Sequence, residues 1–309
     1  MRPLCLSPHL LVWLPAGILL AIGCFSADNA DTPSVLVSNN KVESDFASYW
    51  YNGEGELNTY RLEQSRYGEM RDGEVVMVFV TEPFSKSKQV KPDHPAKNGT
   101  DKISVIKLNH IRRFSTGVYD YSMMQSVFTP VDLTTWKKTL KTTVTSQDWC
   151  GHTFYQLNYE GGKYKVRGFS YFEKEGDQTT TLKADLLEDE LWTRLRINPN
   201  HLKEGVYHVI PALFYSRLAH QPLKPRQARL RKVKKENHTE LLLEYLHLDR
   251  TLIISYLPDF PHKIIAWEEI QDGRPLSRGW LRASIKSAYW QQHDNRHTGL
   301  RDSLQMRCR

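Results

Sequence analysis

The chain is poor in the features by which sequences usually declare a chemistry. It has four cysteines in 309 residues. Cys5 and Cys24 lie in an amino-terminal leader, so only Cys150 and Cys308 remain, enough for one bridge and too few for a disulfide framework. His201, His208, His220, His238, His247 and His262 are scattered, with no pair two or four residues apart. None of these six therefore proposes a local metal site, and no cofactor is expected. The one long apolar run, Leu10 to Ile22, is too short to span a bilayer as a mature helix. A net charge of +7 is modest and spread along the chain, which gives no reason to expect nucleic acid as a partner. There is no internal repeat, no low-complexity tract and no catalytic signature.

What is present is turn chemistry between β-prone segments. Asn52-Gly53, Asp72-Gly73, Gly161-Gly162 and Asp272-Gly273 accept positive φ and favour two-residue turns. Glu74 to Thr81 is almost wholly apolar, as a strand buried on both faces would be. Lys102 to Ile111 and Lys163 to Tyr171 alternate. Leu241 to Leu248 and Thr251 to Leu257 flank an expected turn at Asp249-Arg250, and 263–270 pairs with 276–285. Helical spacing is limited to 185–197, through Leu186, Leu187, Leu191, Trp192 and Leu195, and to a shorter stretch within 209–219. Residues 85–101, Lys-rich with two prolines, read as a mobile surface loop. The fold expected is all-β with minor α: one large curved antiparallel sheet or open barrel-like body, crossed by one or two short helices. Its concave side would be apolar, and its seven tryptophans outside the leader either pack the core or line that face.

Two clusters are candidate sites. In Asp148-Trp149-Cys150-Gly151-His152, a strand would set Asp148, Cys150 and His152 on one face, placing a thiol beside a base. The plainer alternative is a small hydrophobe and an edge histidine. The run 224–235 carries Arg229, Arg231, Lys232 and Lys234 among seven cations. It suits lipid phosphates or a polyanion, or is simply the solvated face of a hairpin.

The leader has one early charge, Arg2, an apolar run, and Leu20-Ala21-Ile22-Gly23-Cys24. This resembles the lipobox of bacterial lipoproteins, in which the cysteine thiol is acylated and the preceding peptide removed. The resemblance implies a signal peptide at 1–23 and lipid on Cys24, with several acyl chains where one holds only marginally. Phe25, in place of an aspartate, implies the outer membrane, facing the periplasm or the surface. The segment 24–45 reads as the lipidated tether, 46–290 as a single β-rich domain and 291–309 as a polar, frayed tail.

Ser48-Tyr-Trp-Tyr-Asn-Gly-Glu-Gly-Glu56, Tyr60 to Glu82, Gln147-Asp-Trp-Cys-Gly-His152 and Pro261-His-Lys-Ile-Ile-Ala-Trp-Glu-Glu269 resemble an uncharacterised family of secreted bacterial proteins and lipoproteins. Some members are labelled septum formation inhibitor Maf, although the Ser-Pro-Arg-Arg signature of Maf pyrophosphatases does not occur here. The arrangement is also distantly similar to periplasmic lipoprotein-carrier-like β domains. The family brings no catalytic residues. The function expected is a non-enzymatic envelope lipoprotein binding a hydrophobic ligand, a lipid or an envelope protein. The alternatives are a thiol hydrolase using Cys150 and His152, and an assembly factor acting through the basic strand.

Overall fold

Two meanders of the chain meet in one sheet. The structure, a computed structural model, describes residues 41–97 and 99–306. The leader, Cys24, most of the tether and Cys308 lie outside the described residues. A helix α1 (Lys41–Trp50) precedes the first meander: β1 (Gly55–Arg66), β2 (Glu69–Ser85), β3 (Lys102–Thr116), β4 (Tyr119–Pro130), β5 (Lys141–Asp148), β6 (Gly151–Glu160), β7 (Lys163–Ser170) and β8 (Gln178–Leu182). Then come β9 (Leu186–Leu187), α2 (Leu191–Ile197), β10 (Gly205–Ile210) and α3 (Leu213–Leu218). The second meander returns through β11 (Arg226–Lys234), β12 (Thr239–Tyr245), β13 (Arg250–Tyr256), β14 (Ile264–Gln271) and β15 (Arg274–Ser287), and α4 (Leu300–Ser303) follows.

The fifteen strands form one sheet in the order β8 to β1, then β15 down to β9. Every pairing is antiparallel except β9 with β10. The two edges, β8 and β9, are consecutive in the chain with only 183–185 between them. The sheet therefore curves back on itself and stays open along that line, an open barrel-like body as expected. Alternation writes this curvature into each strand. In β12 and β13 Leu241, Leu243, Leu252 and Ile254 are buried while the residues between them are half-buried.

The concave side is not hollow. Residues 188–197, including all of α2, are buried on every side, as only an internal helix can be. Trp192 meets Trp267 of β14 and His110 of β3 at ring distances of 5.7 and 5.6 Å. The helix carries charge into the core because each charge has a partner there. At its start Glu188 takes a two-pronged contact from Arg250, at 2.6 and 2.7 Å, and accepts from the Tyr245 hydroxyl. Near its end Arg196 meets Glu56 of β1 at 2.5 Å, both fully buried, under Trp50 and Phe79. Glu56 also accepts from the Tyr49 hydroxyl and Asn58.

Several expected turns move. Asp72-Gly73 lies inside β2, and the β1–β2 hairpin turns at Tyr67-Gly68, both at positive φ. Gly73 is required for a different reason: a Cβ there would stand 2.4 Å from the Arg113 carbonyl oxygen on β3. Asn52-Gly53 joins α1 to β1, while Gly161-Gly162 and Asp272-Gly273 are hairpin turns. Arg250 is not a turn residue but a buried member of β13. Loop 86–101 is tied down by Gln89, whose side chain donates to the Tyr159 carbonyl and accepts from Asn158. The tail packs as well. Leu304 is buried beside Leu57 and Val78, and its carbonyl accepts from Thr59 Oγ at 2.5 Å, so 300–306 does not fray as its polarity implied. Among the described residues no helix is long and apolar enough to cross a membrane.

Candidate functional site

Strands β1, β3, β5 and β7 run in the same direction, so the turns that follow them gather at one end of the sheet, where α3 also lies. A cleft of about 690 Å³ opens there between α3 with its following loop on one side and β6, β8 and the 172–175 loop that precedes β8 on the other. Its apolar wall is Tyr155, Phe172, Leu213, Pro222 and Leu223. Its polar side carries Glu175, Gln178, Ser216, Arg217 and His220.

Local sequence explains each position. Pro211 cannot donate a ladder hydrogen bond, so β10 ends there. The free amides at the start of α3 are taken by buried carboxylates, Ala212 N–H by Glu188 at 3.1 Å and Leu213 N–H by Asp189 at 3.3 Å. The short helix then sets Ser216 and Arg217 against the end of β5. Tyr155 reaches the cleft because it crosses Gly168, where a Cβ would fall 2.4 Å from the tyrosine ring.

Arg217 is 2 % exposed. Its Nη2 donates to Asp148 at 3.3 Å and its guanidinium lies 4.3 Å from the Phe172 ring centre. Nε and Nη1 have no partner, and neither has the buried Ser216 Oγ. Glu175, His220 and Gln178, also in the lining, are engaged. Glu175 accepts from Ser170 Oγ at 2.7 Å and stands 2.7 Å from His220 Nδ1. The Gln178 amide donates to the Tyr155 hydroxyl and to the Glu175 carbonyl. Burial, with the Glu175 charge second, pushes the Tyr155 phenol above its usual range.

The expected thiol constellation comes apart. Asp148 ends β5, Trp149 and Cys150 form the turn, and Gly151 begins β6, so these residues straddle a hairpin and do not share a strand face. Asp148 is committed to Arg217 and to the Cys150 amide, at 2.8 Å. Cys150 is an exposed free thiol and His152 pairs across with Gln147. Of the basic strand, Arg231 makes a two-pronged contact with Glu244, and Lys232 Nζ donates to the Pro199 carbonyl. Arg229 and Lys234 stand exposed on the same strand, β11. Arg217, Ser216, Glu175 and His220 were not foreseen. The available signal was Ser216-Arg217 between the bulky Leu213-Phe214-Tyr215 and Leu218.

Below the cleft lies a second buried polar group. Burial pushes the Asp189 carboxyl up to about 7, with the Glu188 charge adding to the effect. Burial also opposes ionisation of Glu188, but the Arg250 guanidinium together with hydrogen bonds from Tyr245 and the Ala212 amide holds that carboxyl below its usual range. His110, with no partner on either ring nitrogen, is held well below the usual histidine range by burial, and neighbouring Arg112 adds to this. Among the described residues no cluster of His, Cys, Asp and Glu is arranged to hold a metal ion.

No family model and no curated protein matches this chain. Among solved structures it is similar to a beta-barrel-like protein of a domain of unknown function, DUF1849, from Brucella abortus. The identity is 10%, the match covers 75% of this chain and 98% of that one, and the TM-score is 0.47.

Proposed function

We propose that this chain is a non-enzymatic binding protein of a bacterial cell envelope, held to the outer membrane by acylated Cys24. In this reading its β body takes one amphipathic ligand in the end cleft. The observation that carries the reading is the cleft itself, about 690 Å³ and lined by both apolar and polar side chains. That volume lies in the range of small-molecule sites. The concave side of the sheet, where a lipid would first be sought, is filled by 188–197, so the ligand site moves to the end of the body. A thiol hydrolase gains no support from an Asp148 already paired with Arg217.

The test is displacement of neutral N-phenylnaphthylamine from the purified protein by amphiphiles below their micelle concentrations, with mass spectrometry of small molecules that co-purify. Saturable one-to-one displacement is expected. Absence of saturable binding by any amphiphile removes the reading.

A further inference from the structure

The cleft contains a demand for hydrogen-bond acceptors that the protein does not meet. Buried donors almost always find partners, and an unmet guanidinium N–H is among the costlier ones to leave. Arg217 leaves Nε and Nη1 unmatched at 2 % exposure, and Ser216 beside it leaves its hydroxyl unmatched at 8 %. Both line the cleft. Asp148 and Glu175 do not answer the demand. Asp148 already faces the remaining guanidinium nitrogen, and both Glu175 oxygens are taken, by Ser170 and His220. Gln178 is engaged with Tyr155 and with the Glu175 backbone. Phe172 covers one face of the guanidinium, removing it from water and strengthening any charge it meets. The apolar wall of Leu213, Pro222 and Leu223 begins beside this point.

We infer that the cleft selects ligands with an anionic head, a carboxylate or a phosphate, seated on Arg217 and Ser216 with an apolar body along Phe172 and Leu223. The inference rests on the cleft-ligand reading above and narrows it to one class of head group. Guanidinium geometry suits both anions, and charge-assisted bonds are the stronger kind.

Head-group matching tests it without any mutation. Dodecanoate and dodecyl phosphate should displace N-phenylnaphthylamine about tenfold or more better than dodecanol and dodecyltrimethylammonium, given what a charge-assisted bond contributes. Which of the two anions is tighter distinguishes a fatty acid from a phospholipid-like head. Tail-less acetate and inorganic phosphate should be at least about 100-fold weaker. If they match their dodecyl counterparts, the anion site stands and the apolar half of the earlier reading falls. In the neutral pair Asp148→Asn with Arg217→Met, which leaves no stranded charge, the preference should shrink to within about twofold while dodecanol affinity persists. Equal potency of dodecanol and dodecanoate on the natural protein overturns the inference and leaves the cleft-ligand reading intact. Binding by none of the four dodecyl compounds removes both. Should the double variant fail to fold, the head-group series on the natural protein still decides.

Discussion

At the residue scale, the interior holds ionisable groups in states they would not adopt in water, and this makes stability pH-dependent. Asp189 ionises near 3.8 in an ordinary setting and near 7 when buried here. Between those values the unfolded chain has released a proton that the folded chain keeps, so stability falls as pH rises from about 4 to about 7 and levels off above that. Asp189→Asn keeps an acceptor for the Leu213 amide and should remove that slope. Melting temperatures measured from pH 5 to 8 should therefore favour the variant increasingly toward pH 8; a constant difference contradicts the assignment. His110 acts in the opposite sense, since its folded-state value is depressed. Its contribution is complete above about 6.5 and is lost as pH falls below that. A second prediction concerns Gly168. An added Cβ at 2.4 Å from the Tyr155 ring cannot be accommodated without moving that wall. Gly168→Ala should cost about 1–3 kcal/mol in denaturant unfolding and weaken amphiphile displacement as well. None of this was legible from local pattern. A sequence shows that Asp189 and Gly168 exist, not which aromatic ring or carboxylate the fold will set against them.

At the element scale, strands announced themselves and the internal helix did not. Alternation in 102–111 and 163–171 and the turns at Gly161-Gly162 and Asp272-Gly273 could be read because period-two burial is a local signal. The β1–β2 turn was misplaced because Asp72-Gly73 carries the same dipeptide signal for another purpose, close approach to β3. The helical spacing at 185–197 is legible, but its complete burial is not, because Glu188, Glu190, Arg194 and Arg196 are residue types that rarely go inside unpaired. Arg250 of β13 and Glu56 of β1, remote in sequence, take Glu188 and Arg196, while Glu190 and Arg194 pair with each other, and these pairings are what allow the charges inside. The consequence is testable on the Glu56–Arg196 pair. Glu56→Gln or Arg196→Met alone strands a fully buried charge and should cost about 3–5 kcal/mol, whereas the double variant should recover much of that loss. Unfolding free energies that simply add would show that the two side chains do not depend on each other.

At the scale of the whole molecule, composition and turn spacing were enough for the class: a single large antiparallel sheet, curved and unclosed. The place of the proposed ligand site was not recoverable, because an empty concave face and a filled one share the same strand pattern. The proposed anchor belongs to this scale too. Cys24→Ser should abolish incorporation of labelled palmitate and move the protein from the membrane fraction to the soluble one; continued membrane retention without label contradicts lipid anchoring. The central claim, that the end cleft and not the inside of the sheet receives the ligand, is tested most directly by locating a heavy atom. In crystals grown with a dodecanoate brominated near its methyl end, anomalous scattering should place bromine beside Phe172 and Leu223 with the carboxylate toward Arg217. Bromine among Trp192, Trp267 and His110, or no ordered bromine at saturating ligand, would contradict the account.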